Sequence, residues 1–130
     1  MSIKDYNGAT CLDPQLALAY NNRGNAYKDL GRYQKAIQDY DEAIRLDPQF
    51  ALAYNNRGSA YSDLGQREKA IQDYNEAIRL DAQLALAYNN RGNAYKVLGQ
   101  SQKAIQDYNK AIRLDPQLAL AYNSRGNAKL

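Results

Sequence analysis

Small and apolar residues recur at helical spacing from Leu16 onward. On a wheel of 100° per residue, Leu16, Tyr20, Gly24 and Tyr27 share one face, with Ala19, Arg23, Ala26 and Leu30 beside them. This broad side of a first helix is expected to be buried. Gly31 marks the turn that ends it. A second helix is predicted from about Gln34 to Leu46, with Ala36, Tyr40 and Ala43 at the centre of its inner face, Ile37 and Ile44 flanking, and Gln34, Gln38, Asp41 and Arg45 outside. Asp47 and Pro48 close the pair, since proline cannot extend the preceding helix and suits the first turn of the next.

The pattern then repeats. AYNNRGNAY at Ala19 to Tyr27 returns at Ala53 to Tyr61 and Ala87 to Tyr95, and begins again at Ala121, a period of 34 residues. Any two full units agree at no fewer than 26 of 34 positions, so fold and function belong to a stack of near-identical modules. The expected fold is an all-α solenoid of antiparallel helix pairs. Its full units span residues 17–50, 51–84 and 85–118. Residues 1–16 form a degenerate second-helix half unit and 119–130 a first-helix half unit that serves as a cap, all in one continuous domain. Gly24, with Gly58, Gly92 and Gly126, sits mid-helix at a cost of about 1 kcal/mol against Ala, which calls for close backbone approach of another helix. The tyrosines are expected to lie over alanine or glycine of neighbouring helices. Asp81 is followed by Ala82 rather than proline, which allows either a looser junction or a more nearly continuous pair of helices.

Composition narrows the function. The 17 Lys and Arg against 14 Asp and Glu leave +3, with both signs interleaved along every unit, so no cationic stripe for nucleic acid forms. The sequence contains no His, and its one cysteine, Cys11, has nothing to activate it as a nucleophile and no partner within the chain for a disulfide. A cytoplasmic location is expected, with neither a signal peptide nor a membrane span. Neither a metal cluster nor a phosphate-cradling glycine loop is found, so catalysis and cofactors are not expected. Arg23, Arg57 and Arg91 fall on the buried flank and Asp39, Asp73 and Asp107 at a comparable edge of the second helix. Structural ion pairs between them, within or across units, are predicted.

Each unit resembles the tetratricopeptide repeat, through Tyr20, Arg23, Gly24, Tyr27, Ala36, Tyr40 and Pro48 in the first, Tyr54, Arg57, Gly58, Tyr61, Ala70 and Tyr74 in the second, and Tyr88, Arg91, Gly92, Tyr95, Ala104, Tyr108 and Pro116 in the third. Tyr for Trp and Arg for Leu are its systematic departures. The resemblance implies a right-handed superhelix with first helices on its concave side, acting as a scaffold for a peptide or a partner helix.

Opposite the Tyr20 and Gly24 face, stacking would align Leu18, Leu52 and Leu86, then Asn21, Asn55, Asn89 and Asn123, then Asn22, Asn56 and Asn90, then Asn25, Ser59 and Asn93. An amide carries donor and acceptor together, so such rows suit an extended peptide backbone. They are the candidate peptide-binding residues, and Asn22, Asn56 and Asn90 resemble the asparagine ladder of protein O-GlcNAc transferases. The family's carboxylate clamp for acidic chaperone tails is matched at Asn25 and Asn56. Its basic members would fall at Asn21, Leu86 and Asn90, none of which is a cation, so tail binding is not expected. A non-catalytic interaction scaffold is therefore the leading reading. The alternative is head-to-tail self-assembly through the complementary half units.

Overall fold

A computed structural model describes residues 13–118 of the 130-residue chain. The readings made for Cys11, for the two half units and for Asn123 lie largely or wholly outside that range. Six helices follow one another: α1 (Pro14–Asp29), α2 (Tyr33–Leu46), α3 (Ala51–Asp63), α4 (Arg67–Leu80), α5 (Ala85–Val97) and α6 (Ser101–Leu114). They form an all-helical repeat solenoid of antiparallel pairs. Each helix packs on its successor, and α3 also touches α1 and α5.

Each turn within a pair is set by its glycine. Gly31 has φ 79°, its N–H bonds to the Lys28 carbonyl at 2.9 Å and the Arg32 N–H to that of Tyr27 at 2.9 Å, a reciprocal closure of the last helical turn that needs a left-handed residue. Between pairs, the Asp47 carboxylate accepts the Gln49 N–H at 3.1 Å, which holds Pro48 in the turn. Helix α3 therefore starts at Ala51, and Pro48 is not in its first turn as expected, whereas Pro14 does open α1 behind the Asp13 cap. The junction without proline has the same geometry: Asp81 accepts from Gln83 at 3.0 Å and has φ −144°, against −143° at Asp47. It is neither looser nor more continuous, because the aspartate, shared by both, makes the turn.

Tyr40, Tyr74 and Tyr108 are fully buried with alanines around them. Each ring lies on the mid-helix glycine of its own pair, where a Cβ on Gly24 would come within 2.6 Å of the Tyr40 ring. The close neighbour is chiefly a ring, with a backbone carbonyl, that of Ala70, at 3.1 Å from the same point on Gly58. Across units, Ala60 of α3 packs against Ala36 and Tyr40 of α2, and Ala94 of α5 against Ala70 and Tyr74 of α4.

The broad side of the first helix is buried unevenly. Ala53, Ala60, Ala87 and Ala94 are enclosed, but in α1 Leu16 is 43% exposed, Leu30 70%, and Ala19 and Ala26 are also exposed. That flank packs on the second helix of the preceding unit, and no described element precedes α1.

Candidate peptide-binding groove

Leu18, Leu52 and Leu86 recur one repeat apart along the first helices, as do Asn22, Asn56 and Asn90, the two rows expected to line a peptide trough. Asn22 is exposed, and Asn56 and Asn90 are half-buried. The amides are ordered by hydrogen bonds from one unit to the next. Asn56 Nδ2 donates to Asn21 Oδ1 at 3.0 Å, and Asn90 Nδ2 to Asn55 Oδ1 at 3.0 Å. Asn55 Nδ2 in turn donates to Asn56 Oδ1 at 3.3 Å.

Asn21, Asn55 and Asn89 are each only 1% exposed, which corrects their assignment to the ligand-facing rows. Counted as polar, they were set with the solvated side. Yet the buried stripe of α1 runs through Ala17, Asn21 and Gly24, because the first helix packs on the next first helix as well as on its own partner. Asn89 Oδ1 has no partner among the described residues.

Asn25 and Asn93 are also engaged. Their Oδ1 atoms accept the hydroxyls of Tyr40 at 2.5 Å and Tyr108 at 2.6 Å. In the middle unit, where Ser59 replaces the asparagine, Ser62 is the side chain that opposes the upward push of burial on the Tyr74 phenol. Burial, with the carboxylates of Asp29, Asp39 and Asp63 adding to it, pushes the Tyr40 phenol above its usual range; burial does the same for Tyr74. This tie between candidate site residues and the core is not anticipated from the sequence, although tyrosine stands 15 residues beyond asparagine in both units.

The arginines do structural work, as the sequence suggested. Arg57 Nε and Nη2 each donate to Asp73 at 2.8 Å, and Nη1 reaches Asp41 of the preceding unit at 2.9 Å. Arg91 pairs with Asp107 in the same way and reaches Asn75 at 2.8 Å, and Arg23 pairs with Asp39. The Arg57 guanidinium also lies over the Tyr54 ring, 5.3 Å from its centroid. Burial raises the Asp73 carboxyl above its ordinary value, and the Arg57 bonds oppose that rise.

Among the described residues no group of His, Cys, Asp and Glu is placed to hold a metal, and no helix is long and apolar enough to cross a membrane. A shallow depression of about 230 Å³ is bounded by Gln34, Ile37, Tyr61 and Leu64, none of them a candidate peptide-binding residue.

Comparison with known proteins gives a consistent picture. Residues 24–65 and 58–99 match the profile described as TPR repeat, and residues 85–118 match that described as tetratricopeptide repeat. No curated protein matches the chain. Among solved structures, the first TPR of Spaghetti (RPAP3) bound to the HSP90 peptide SRMEEVD is 32% identical, with a TM-score of 0.85 over 92% of this chain and 94% of that one. The second TPR domain of human RPAP3, in complex with the HSP70 peptide SGPTIEEVD, is 32% identical with a TM-score of 0.81 over 89% and 97%. The Arabidopsis OM64 TPR domain is 30% identical with a TM-score of 0.84 over 88% and 95%.

Proposed function

This chain belongs to the tetratricopeptide repeat family, and we propose that it is a non-catalytic scaffold that holds an extended peptide along the trough of its first helices. One observation carries the reading: Asn22, Asn56 and Asn90 form a row, and Asn56 and Asn90 keep an N–H and an acceptor lone pair beyond the bonds between units. The leucine row beside them supplies apolar contact, with Leu18 50% and Leu52 37% exposed.

The relatives that hold SRMEEVD and SGPTIEEVD support a peptide as the ligand class. This groove is not suited to those acidic tails. Of the three positions that would supply cations, Asn21 is buried and Leu86 and Asn90 carry no charge. Selection of binders from a random peptide display library is the test. Replacing Asn22, Asn56 and Asn90 together with Ala is expected to weaken a selected peptide by at least about tenfold, while SRMEEVD gives no saturable binding. Unchanged affinity in the triple variant refutes the reading.

End-to-end self-association is a second reading. It is favoured by the flank of α1 that no described element covers, where Leu16, Ala19, Tyr20 and Arg23 surround a hollow of about 210 Å³. Light scattering at rising concentration, repeated with Leu16 and Tyr20 changed to Ser, is expected to show mass growth only in the parent. A mass independent of both concentration and substitution removes this reading.

A further inference from the structure

Two of the buried asparagines do something that burial alone does not require: they hold the amides of the trough by one end. Asn21 Oδ1 takes an N–H from Asn56, and Asn55 Oδ1 takes one from Asn90, both at 3.0 Å and both 35 residues apart in sequence. Turning either trough amide alone by 180° about its last torsion would bring its oxygen against a buried acceptor, so neither amide flips independently of the asparagine that holds it. Asn55 closes the series by donating to Asn56 Oδ1 at 3.3 Å, and the dipoles of Asn90, Asn55, Asn56 and Asn21 therefore run in one sense along the stack. Asn22 makes no such bond among the described residues and provides an internal comparison.

We propose that Asn21 and Asn55 are positioning residues that fix the trough amides of Asn56 and Asn90 in one orientation, so that the groove selects the direction of an extended peptide's backbone. The inference rests on the peptide-scaffold reading and adds a rule of recognition to it. An extended strand presents N–H and C=O along one edge in an order that reverses when the strand is turned end for end. A freely flipping amide matches either order. An amide tethered through its nitrogen matches one.

Two measurements on the full chain test this. The first uses a peptide selected from a random display library against the parent protein, together with its retro-inverso D-form, which keeps the side-chain layout and reverses the backbone. The parent is expected to prefer the L-form by at least about tenfold, and the Asn21→Leu/Asn55→Leu variant to discriminate by no more than about threefold. A ratio near one in the parent, or an undiminished ratio in the variant, overturns the proposal.

The second measurement needs no ligand. Side-chain amide NMR of the parent is expected to show the Asn56 and Asn90 Nδ2 groups rigid and slowly exchanging, and that of Asn22 averaged. Asn21→Leu is expected to release Asn56 but not Asn90, and Asn21→Asp, which restores an acceptor, to order Asn56 again. If Asn56 is as mobile as Asn22 in the parent, the proposal fails whatever peptides are found. Failure to select any peptide sinks the scaffold reading instead, and the NMR result then decides the positioning role alone.

Discussion

Gly58 and Tyr74 are in direct apposition: a Cβ placed on the glycine would lie 2.7 Å from the ring's Cε1, 2.9 Å from Cδ1 and 3.1 Å from the Ala70 carbonyl oxygen. The ring is 2% exposed and cannot withdraw into solvent. Gly58→Ala gains about 1 kcal/mol of helix propensity but overpacks at a cost of about 1–3 kcal/mol, so a net loss of stability is expected. Urea melts of the variant check this. A raised midpoint would show that the ring yields more easily than its surroundings suggest.

Arg57 and Asp73 provide a second test. The carboxylate is 9% exposed and the guanidinium 21%, and two parallel bonds join them. Arg57→Met is expected to cost about 3 kcal/mol at neutral pH, mostly because a buried carboxylate is left without its cation. The Asp73 carboxyl already lies above its ordinary 3.8, and loss of Arg57 removes what opposes that rise. A raised folded pKa favours the protonated form. The penalty in the variant should therefore shrink as pH falls through the Asp73 titration, and a deficit that stays constant in acid would contradict this account.

Much of this arrangement was legible in the sequence. The 34-residue period gave the helix pairs, the recurring glycines gave both turn and ring seat, and the matched rows of Arg and Asp gave the ion pairs. Position on a single helix wheel could not place Asn21. A wheel has one inside and one outside, while a first helix in a solenoid is buried against its partner, the second helix of the preceding unit and the next first helix. The same limit hid the role of Tyr40, whose ring is core but whose hydroxyl reaches Asn25, one of the candidate peptide-binding residues. Pro48 was misplaced for another reason: its preference for a first helical turn yielded to the Asp47 carboxylate, which holds the local turn.

The middle unit departs from its neighbours at Ser59. The outer units offer an asparagine oxygen to the core tyrosine, and this one has a serine at that position, with Ser62 acting on the Tyr74 phenol. Ser59→Asn supplies the missing acceptor at a position that the equivalent helices α1 and α5 fill with Asn25 and Asn93. A gain of about 0.5–1 kcal/mol is expected, read as a higher thermal midpoint. A lower midpoint would mean that the surroundings of Tyr74 do not accommodate an asparagine at this position.

Alkaline pH should unfold the protein through its core tyrosines. Burial raises the phenols of Tyr40 and Tyr74 well above their ordinary 10.0, and nearby carboxylates push in the same direction. Above pH 10 an unfolded chain releases these protons while the folded chain keeps them. The unfolded state then binds fewer protons, and stability falls as pH rises, by up to about 1.4 kcal/mol per pH unit for each such tyrosine until its folded pKa is reached. Below pH 10 the two groups contribute no slope. Urea midpoints between pH 8 and 12, followed alongside phenolate absorbance, are expected to hold level and then drop, with phenolate from the core appearing only as the chain unfolds. Tyr40→Phe removes one titrating group and also the bond to Asn25, so it should start from a lower stability yet fall less steeply. An equal slope in parent and variant would show that the alkaline loss arises outside the buried tyrosine stack.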